Sequence, residues 1–249
     1  MNPVTSHTIK QLAEFDTPTV SNGVELLGVR DPSGGYTGPD VRALMPELGV
    51  RAGIAVTARL DTTSPGTDQT TMDIFWEMVR HIQSLSGVPG STAHAGDASS
   101  SGSSSGEGVP VFAVMESVGL RPRHTVTIGD GMGTHLKNAG VVGFLTNGCI
   151  RDIEGVRAVP LACWAAGLSP MHGRLRWLDW GSPVVIDGMT VRTGDLIHAD
   201  QNGALCFPAN IAEQVLEKAH AVREKETRMF QTLRQPGMNV DRYLKSLKG

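Results

Sequence analysis

Three stretches of the chain hold side chains suited to chemistry. The first is Ile128-Gly129-Asp130-Gly131-Met132-Gly133, which reads as a strand turning into a helix with glycines at the corner. A helix start leaves backbone N–H groups unpaired and bears partial positive charge, so it can hold a carboxylate or a phosphate. The same residues also fit a plain turn in which Asp130 is an N-cap and the glycines only permit the bend. A dinucleotide fingerprint is incomplete here. Thr134 stands where GxGxxG needs its last glycine, although Asp152 lies about 20 residues on, where a ribose-binding acid would sit.

The second stretch is Asn147-Gly148-Cys149-Ile150-Arg151-Asp152. Adjacent Arg and Asp form a solvated pair by default. They serve one site only if the backbone bends there, because consecutive strand residues face opposite ways. The Asn147-Gly148 turn just upstream makes such a bend reasonable. An arginine fork then fits a planar carboxylate or a developing enolate oxygen, and an aspartate beside it fits a hard divalent cation.

The third stretch is a helix expected from Asn210 to about Gln235, with Asn210 as N-cap, Glu213 three residues on, and Pro236-Gly237 as the stop. Ile211, Val215, Ala219, Val222, Met229 and Leu233 fall within one stripe of roughly 80°, with Glu226 in its middle and Glu224 on the opposite side. A carboxylate on an apolar face is costly unless paired or bound, so Glu226 belongs either to an interface salt bridge or to a site.

Other chemistries find no matching pattern. His135, His172 and His198 form no HxH, HExxH or Cys/His cluster, which argues against zinc. There is no GxSxG elbow, and no cysteine has a neighbouring histidine to activate it. The remaining acid–base groups are carboxylates and arginine, a set that suits metal-assisted chemistry on an anionic small molecule.

These groups need a scaffold, and the composition suggests a mixed α/β domain. The 249 residues are 40% hydrophobic and 19% charged with a net charge of −3, enough to bury a core and without the basic excess of a nucleic-acid binder. No apolar run approaches the ~18 residues that span a bilayer, and no secretory leader is recognisable. Three cysteines without CxxC spacing favour a reducing, cytoplasmic setting. Thirty glycines and scarce aromatics suit many short elements joined by tight turns. Helices are expected at Thr5–Phe15, Thr71–Leu85 and Gly131–Ala139. Strands are expected at Ala52–Leu60, Val109–Val114, His124–Ile128, Val141–Leu145, Pro183–Ile186, Leu196–Ala199 and Ala204–Phe207. Close-spaced Asp-Gly, Thr-Gly and Asn-Gly turns point to a curled or layered sheet. The Ser/Gly-rich stretch 84–109 has almost no large apolar side chain and is expected to be a flexible surface loop within one domain spanning 1–249.

Asp130, twenty intervening residues, then Arg151-Asp152 resembles the D-x20-R-D signature of the RraA-like family, which includes the 4-hydroxy-4-methyl-2-oxoglutarate/4-carboxy-4-hydroxy-2-oxoadipate aldolases. Phe15-Asp-Thr-Pro-Thr-Val-Ser-Asn22 is similar to the family's N-terminal segment, Gly53-Ile-Ala-Val-Thr57 to its first core strand, and Thr193 to Asp200 with Asn202-Gly203 through Pro208 to its C-terminal strands. The likeness covers nearly the whole chain except about 84–109, which looks like an insertion.

The resemblance implies a layered β/β/α domain related to swivelling phosphohistidine domains, with a curled mixed sheet, flanking helices and a long C-terminal helix. It implies trimers or hexamers with the site between subunits. Asp152 would bind Mg²⁺ or Mn²⁺, Asp130 would hold metal-bound water, and Arg151 would grip the pyruvate moiety of a 2-oxo acid. Gly131 and Met132 would offer backbone N–H groups to its carboxylate. The family's C-terminal-helix glutamate, which reaches a neighbouring subunit's site, matches Glu226. Gly131 and Gly133 depart from the bulkier residues usual after the aspartate.

The expected function is thus metal-dependent retro-aldol cleavage of 4-hydroxy-4-methyl-2-oxoglutarate-like substrates to pyruvate, with oxaloacetate decarboxylation as a side activity. The cation and Arg151 would stabilise an enolate, and the base for the C4 hydroxyl would be a water near Asp130 or Glu226. Two rivals stand beside it. One is a non-catalytic regulator that binds a ribonuclease, as some relatives with this fold do. The other is a nucleotide-dependent enzyme using the Gly129–Gly133 turn.

Overall fold

The computed structural model describes residues 4–65, 72–88 and 108–247. Its centre is a mixed, strongly curled half-barrel sheet. The strands in chain order are β1 (Arg42–Ala43), β2 (Arg51–Asp61), β3 (Val111–Val118), β4 (Val126–Ile128), β5 (Val141–Thr146), β6 (Cys149–Ile150), β7 (Ala162–Ala165), β8 (Gly167–Leu168), β9 (Arg176–Trp180), β10 (Val184–Ile186), β11 (Met189–Val191), β12 (Asp195–Asp200) and β13 (Gly203–Pro208). The main sheet runs β1-β7-β5-β3-β2-β12-β13, with β9 also on β2. Strands β7, β5, β3 and β2 pair in parallel, whereas β12, β13 and β9 run antiparallel.

β2 is the hinge of this arrangement. Its first half pairs with β12 and its second half with β9, and the β9 pairing is itself interrupted by a bulge between Arg59 and Leu60. Parallel strands are covered on both faces, so they read as continuous apolar runs. Val56, Ala58 and Leu60 of β2 and Val111, Ala113 and Met115 of β3 face one core, while Ala55, Phe112 and Val114 face another.

The first core is closed by α3 (Met72–Ser86), α4 (Asp130–Asn138) and α5 (Ile153–Ala158). Phe75, Met78, Val79 and Ile82 of α3 are buried in it, as their helical spacing predicts. The second core lies under the β10–β11 hairpin, whose Asp187-Gly188 turn takes positive φ at both residues, the pattern of a tight two-residue hairpin. The third packs α1 (Ser6–Leu12), α2 (Thr17–Leu26) and α6 (Ala212–Leu233) on β12 and β13. A last helix, α7 (Val240–Ser246), buries none of its residues.

The long C-terminal helix is present, but its start differs from the expectation. Ala209–Ile211 first winds a 3-10 turn, and Ile211 rather than Asn210 occupies the N-cap position. The N-terminal helix ends at Leu12, and α2 follows as a separate helix that the sequence pattern does not resolve. Asp16 caps it by accepting the Thr19 N–H at 2.8 Å, and Pro18 sits in its first turn. These two helices are locked to the sheet by fully buried His198. Its Nε2 lies 3.0 Å from the Leu12 carbonyl and its Nδ1 2.9 Å from Thr17 Oγ1. A carbonyl only accepts, so Nε2 bears the hydrogen and Thr17 donates to Nδ1. Burial pushes this imidazole below its ordinary pKa, in keeping with a neutral structural role.

Of the expected 84–109 loop, residues 89–107 lie outside the described residues. Ser84–Ser86 instead continue α3, and the Val109 N–H donates to the Leu85 carbonyl at 3.0 Å. Both ends of the segment therefore meet at one point on the surface. Cys149, Cys163 and Cys206 are free and buried. No helix among the described residues is long and apolar enough to cross a membrane.

Candidate active site

A small second sheet builds the site. β4 pairs in parallel with β6, and β6 with β8, in the order β4-β6-β8. Ile128 stands level with Ile150, and the Arg151 N–H donates to the Ile128 carbonyl at 3.1 Å. The two strands end side by side pointing the same way. The residues immediately beyond them, Gly129-Asp130 and Arg151-Asp152, must then emerge together. This register gives the spacing of the sequence signature its physical meaning: twenty residues are what the chain uses to run α4, return through β5 and come level with its own starting point.

The bend expected at Arg151-Asp152 is present, and Asp152 itself makes it. Its backbone is left-handed, φ 54° and ψ 46°, as the residue before α5. Aspartate visits this region more readily than most residues. The two side chains therefore meet instead of facing opposite ways, with Arg151 Nε 3.0 Å from Asp152 Oδ2. The pair is 31% and 41% exposed, so both groups remain open to a ligand.

Two glycines make room for these side chains. A Cβ on Gly129 would stand 2.8 Å from Asp152 Oδ2 and 3.0 Å from Arg151 Nε. A Cβ on Gly155, in the first turn of α5, would stand 2.6 Å from Asp130 Cβ and 2.8 Å from its Oδ2. Asp130 thus lies against α5, while Arg151 and Asp152 lie against the residue preceding α4. Gly155 was not singled out from the sequence, because only its contact with Asp130 through space explains it.

Asp130 is the first residue of α4, and Gly129 holds the N-cap position. Asp130 Oδ1 accepts the Gly131 N–H at 2.7 Å, so a substrate carboxylate would have to replace this contact to use that amide. The Met132 N–H lies in the first turn of α4 and has no helical partner, since the first helical bond runs from the Gly133 N–H to the Gly129 carbonyl at 2.9 Å. At Gly131 a Cβ would meet nothing within 4 Å, so this departure from bulkier residues leaves open space over the helix start.

Beside these groups is a cavity of about 270 Å³. Gly129, Asp130, Gly131, Met132 and Arg151 line it, together with Met72, His172 and Leu175. Asp152 is not a lining residue; its carboxylate lies against Gly129, which is. Met72, His172 and Leu175 were not among the sequence candidates, because they arrive from α3 and from the segment between β8 and β9. Glu226 does not join this group within the chain. It is half-buried in a separate groove between α2 and α6, with Asn22, Glu25 and Met229. Val215, Ala219 and Val222 of its stripe are buried as expected, whereas Leu233 is 40% exposed.

This architecture matches known proteins. Residues 104–206 match the family described as RraA-like: Aldolase/RraA. Protein DlpA of Legionella pneumophila is 29% identical over 123 residues, 43% of this chain and 20% of that protein. A Xanthomonas campestris protein named "Putative 4-hydroxy-4-methyl-2-oxoglutarate aldolase" is 31% identical over 99 residues, 39% of this chain and 59% of that protein. The matched stretch thus spans less than two thirds of either relative. Among solved structures, Streptomyces coelicolor RraAS2, described as an unusual member of the RNase ES inhibitor RraA protein family, shares the fold. It superimposes with a TM-score of 0.65 at 22% identity over 92% of this chain and 99% of that one.

Proposed function

We propose that the chain is a divalent-metal-dependent lyase that cleaves 2-oxo acids of the 4-hydroxy-4-methyl-2-oxoglutarate type to pyruvate. The observation that supports it most is the convergence of Asp130, Arg151 and Asp152 at the level ends of β4 and β6, beside one cavity. The name of the X. campestris relative agrees with this substrate class.

The donor set suits a hard, hydrated cation. Among the described residues no cluster of three or more His, Cys, Asp or Glu forms a complete cage. Mg²⁺ and Mn²⁺ sites instead use one or two carboxylates, completed by water and substrate. Asp152 is the ligand we assign, with Asp130 orienting the water. A bound cation would polarise the keto oxygen as a Lewis acid.

Arg151 presents its guanidinium to the substrate's carboxylate and to the oxygen that gains charge as the C3–C4 bond breaks. The Met132 amide, and the Gly131 amide once released by Asp130, offer further donors at the same helix end. Oxaloacetate decarboxylation passes through the same enolate and is the expected side activity. Testing a panel of 2-oxo acids for pyruvate, with Mg²⁺ and with chelator, decides the matter. Absence of metal-dependent pyruvate release from every member would refute the reading and favour a ribonuclease-binding role, as the family name of the S. coelicolor neighbour suggests.

Gly155 offers a sharper check. Gly155→Ala should lower turnover at least tenfold by displacing Asp130 and should cost about 1–3 kcal/mol of stability, because the new methyl would stand 2.6 Å from Asp130 Cβ, next to the backbone. Parallel assays and thermal melts separate the two effects.

Glu226 enters the proposal through a second copy of the chain. Phe230, Leu233 and Leu26 are exposed apolar residues on the two helices that form its groove. Such a surface suits assembly into a trimer or hexamer in which α6 reaches a neighbour's cavity. Mixing Arg151→Ala subunits with Glu226→Ala subunits should then restore activity that neither has alone. Mixtures as inactive as their components would place Glu226 outside the site.

A further inference from the structure

The proposed cleavage needs a group to take the proton of the C4 hydroxyl. Arg151 is always protonated and cannot serve. Glu226 reaches such a cavity only from a second copy of the chain, whereas the cavity's own walls are present in every protomer. The cavity has a further wall, the segment between β8 and β9, which supplies His172 and Leu175. His172 is the one imidazole among the described residues that line it, and a neutral imidazole can both accept a proton and return it.

The hydrogen bonding leaves this ring ready to accept a proton. His172 Nδ1 lies 3.0 Å from the Gly173 carbonyl. A carbonyl only accepts, so Nδ1 bears the hydrogen and Nε2 of the neutral ring keeps a basic lone pair. The segment is tethered at both ends. The Ser169 N–H donates to the Ile150 carbonyl at 3.1 Å, directly before Arg151. Seven residues on, Arg176 is paired with buried Asp61 at 2.6 Å. Such anchoring holds a general base in place at modest entropic cost. The charged groups sharing its surroundings are Asp130 and Arg151 across the cavity and Arg174 on its own segment.

We propose that His172 is the proton-transfer residue of this site, a role that rests on the lyase reading above. Its Nε2 accepts the C4 hydroxyl proton as the C3–C4 bond breaks. The bonding pair moves to C3 and into the keto group as the enolate, and the C4 fragment leaves as a carbonyl compound. The imidazolium then returns its proton to C3, giving the methyl group of pyruvate and restoring the neutral ring. No oxidant or reductant is consumed.

His172→Gln in the full chain, assayed with Mg²⁺ and 4-hydroxy-4-methyl-2-oxoglutarate from pH 5.5 to 8.5, tests this. The expected result is a fall in kcat of about 100-fold or more with KM within threefold. The acid limb of the pH profile should disappear, and exchange of the pyruvate methyl protons in D2O should slow in parallel. His172 is exposed, so an unchanged melting temperature is expected and confirms that the variant is folded. If wild type turns over and His172→Gln keeps its kcat and its acid limb, or changes KM alone, the proton-transfer role is wrong while the lyase reading stands. If wild type releases no pyruvate from any 2-oxo acid, the lyase reading fails and takes this role with it.

Discussion

Replacing Arg151 with alanine should cut pyruvate release by about 10³-fold, the scale expected for removing a preorganised donor from a developing negative charge. The reason is geometric as much as electrostatic. The guanidinium is held by its own Nε on Asp152, 3.0 Å away, while its backbone N–H is pinned to Ile128. One edge of the fork is thus anchored and the rest is left for substrate. Arg151→Lys should recover little, because a lysine supplies a point charge but cannot pair with a carboxylate by two parallel hydrogen bonds. The loss should not come from unfolding. Both members of the pair are substantially exposed, so the melting temperature should stay within a few degrees of wild type. Steady-state rates of both variants against the same 2-oxo acid provide the check. Full turnover in Arg151→Ala would leave the site without its proposed substrate anchor.

Asp61→Ala should produce the largest loss of stability, about 3 kcal/mol, visible as a drop of roughly 10 °C in melting temperature. The side chain is 3% exposed at the end of β2. It accepts the N–H groups of Thr63 and Ser64 at 2.9 and 3.0 Å and an Arg176 guanidinium N–H at 2.6 Å. Burial alone would raise its pKa. The hydrogen bonds from Ser64, Thr63 and Arg176 outweigh that and bring it down to about 2. The folded pKa is below the unfolded value, so the stabilisation is complete above pH 3.8 and is lost as pH falls toward 2. That amounts to roughly 2 kcal/mol, measurable as the acid limb of the stability curve. The variant should lack this limb. Because Arg176 ends the segment that positions His172, turnover should fall as well.

The sequence exposed the elements whose pattern is local. The helical spacing of Phe75, Met78, Val79 and Ile82 and the apolar run of β2 correspond to elements in the structure, because each depends on burial of its own periodic residues. β7 and β9 were not expected. Ala162–Ala165 is short, and Arg176–Trp180 mixes charged and aromatic residues whose strand state comes from pairing with β2. The same limit governs the site. Arg151 and Asp152 were legible as neighbours, and the need for a bend was clear. The residue that bends is Asp152, not the Asn147-Gly148 turn, since only the folded chain shows where the left-handed conformation falls. Gly155 was hidden because it matters through its contact with Asp130, and His172 was legible only as a histidine outside any metal motif, because its place on the cavity wall depends on residues far away in sequence.

The level pairing of Ile128 with Ile150 also sets what variation the site can withstand. A change in the length of α4 or of β5 would displace Leu136 and Phe144, which are buried in the first core, as well as alter the path between the two strand ends. A slip of one position in β6 is different, since side chains alternate from face to face along a strand. Arg151 would then be turned away from the cavity even though every residue of the motif remained in place. Tolerance to insertions should therefore be low along the detour, where they disturb the core, and nearly nil at the two strand tips, where they remove the site itself.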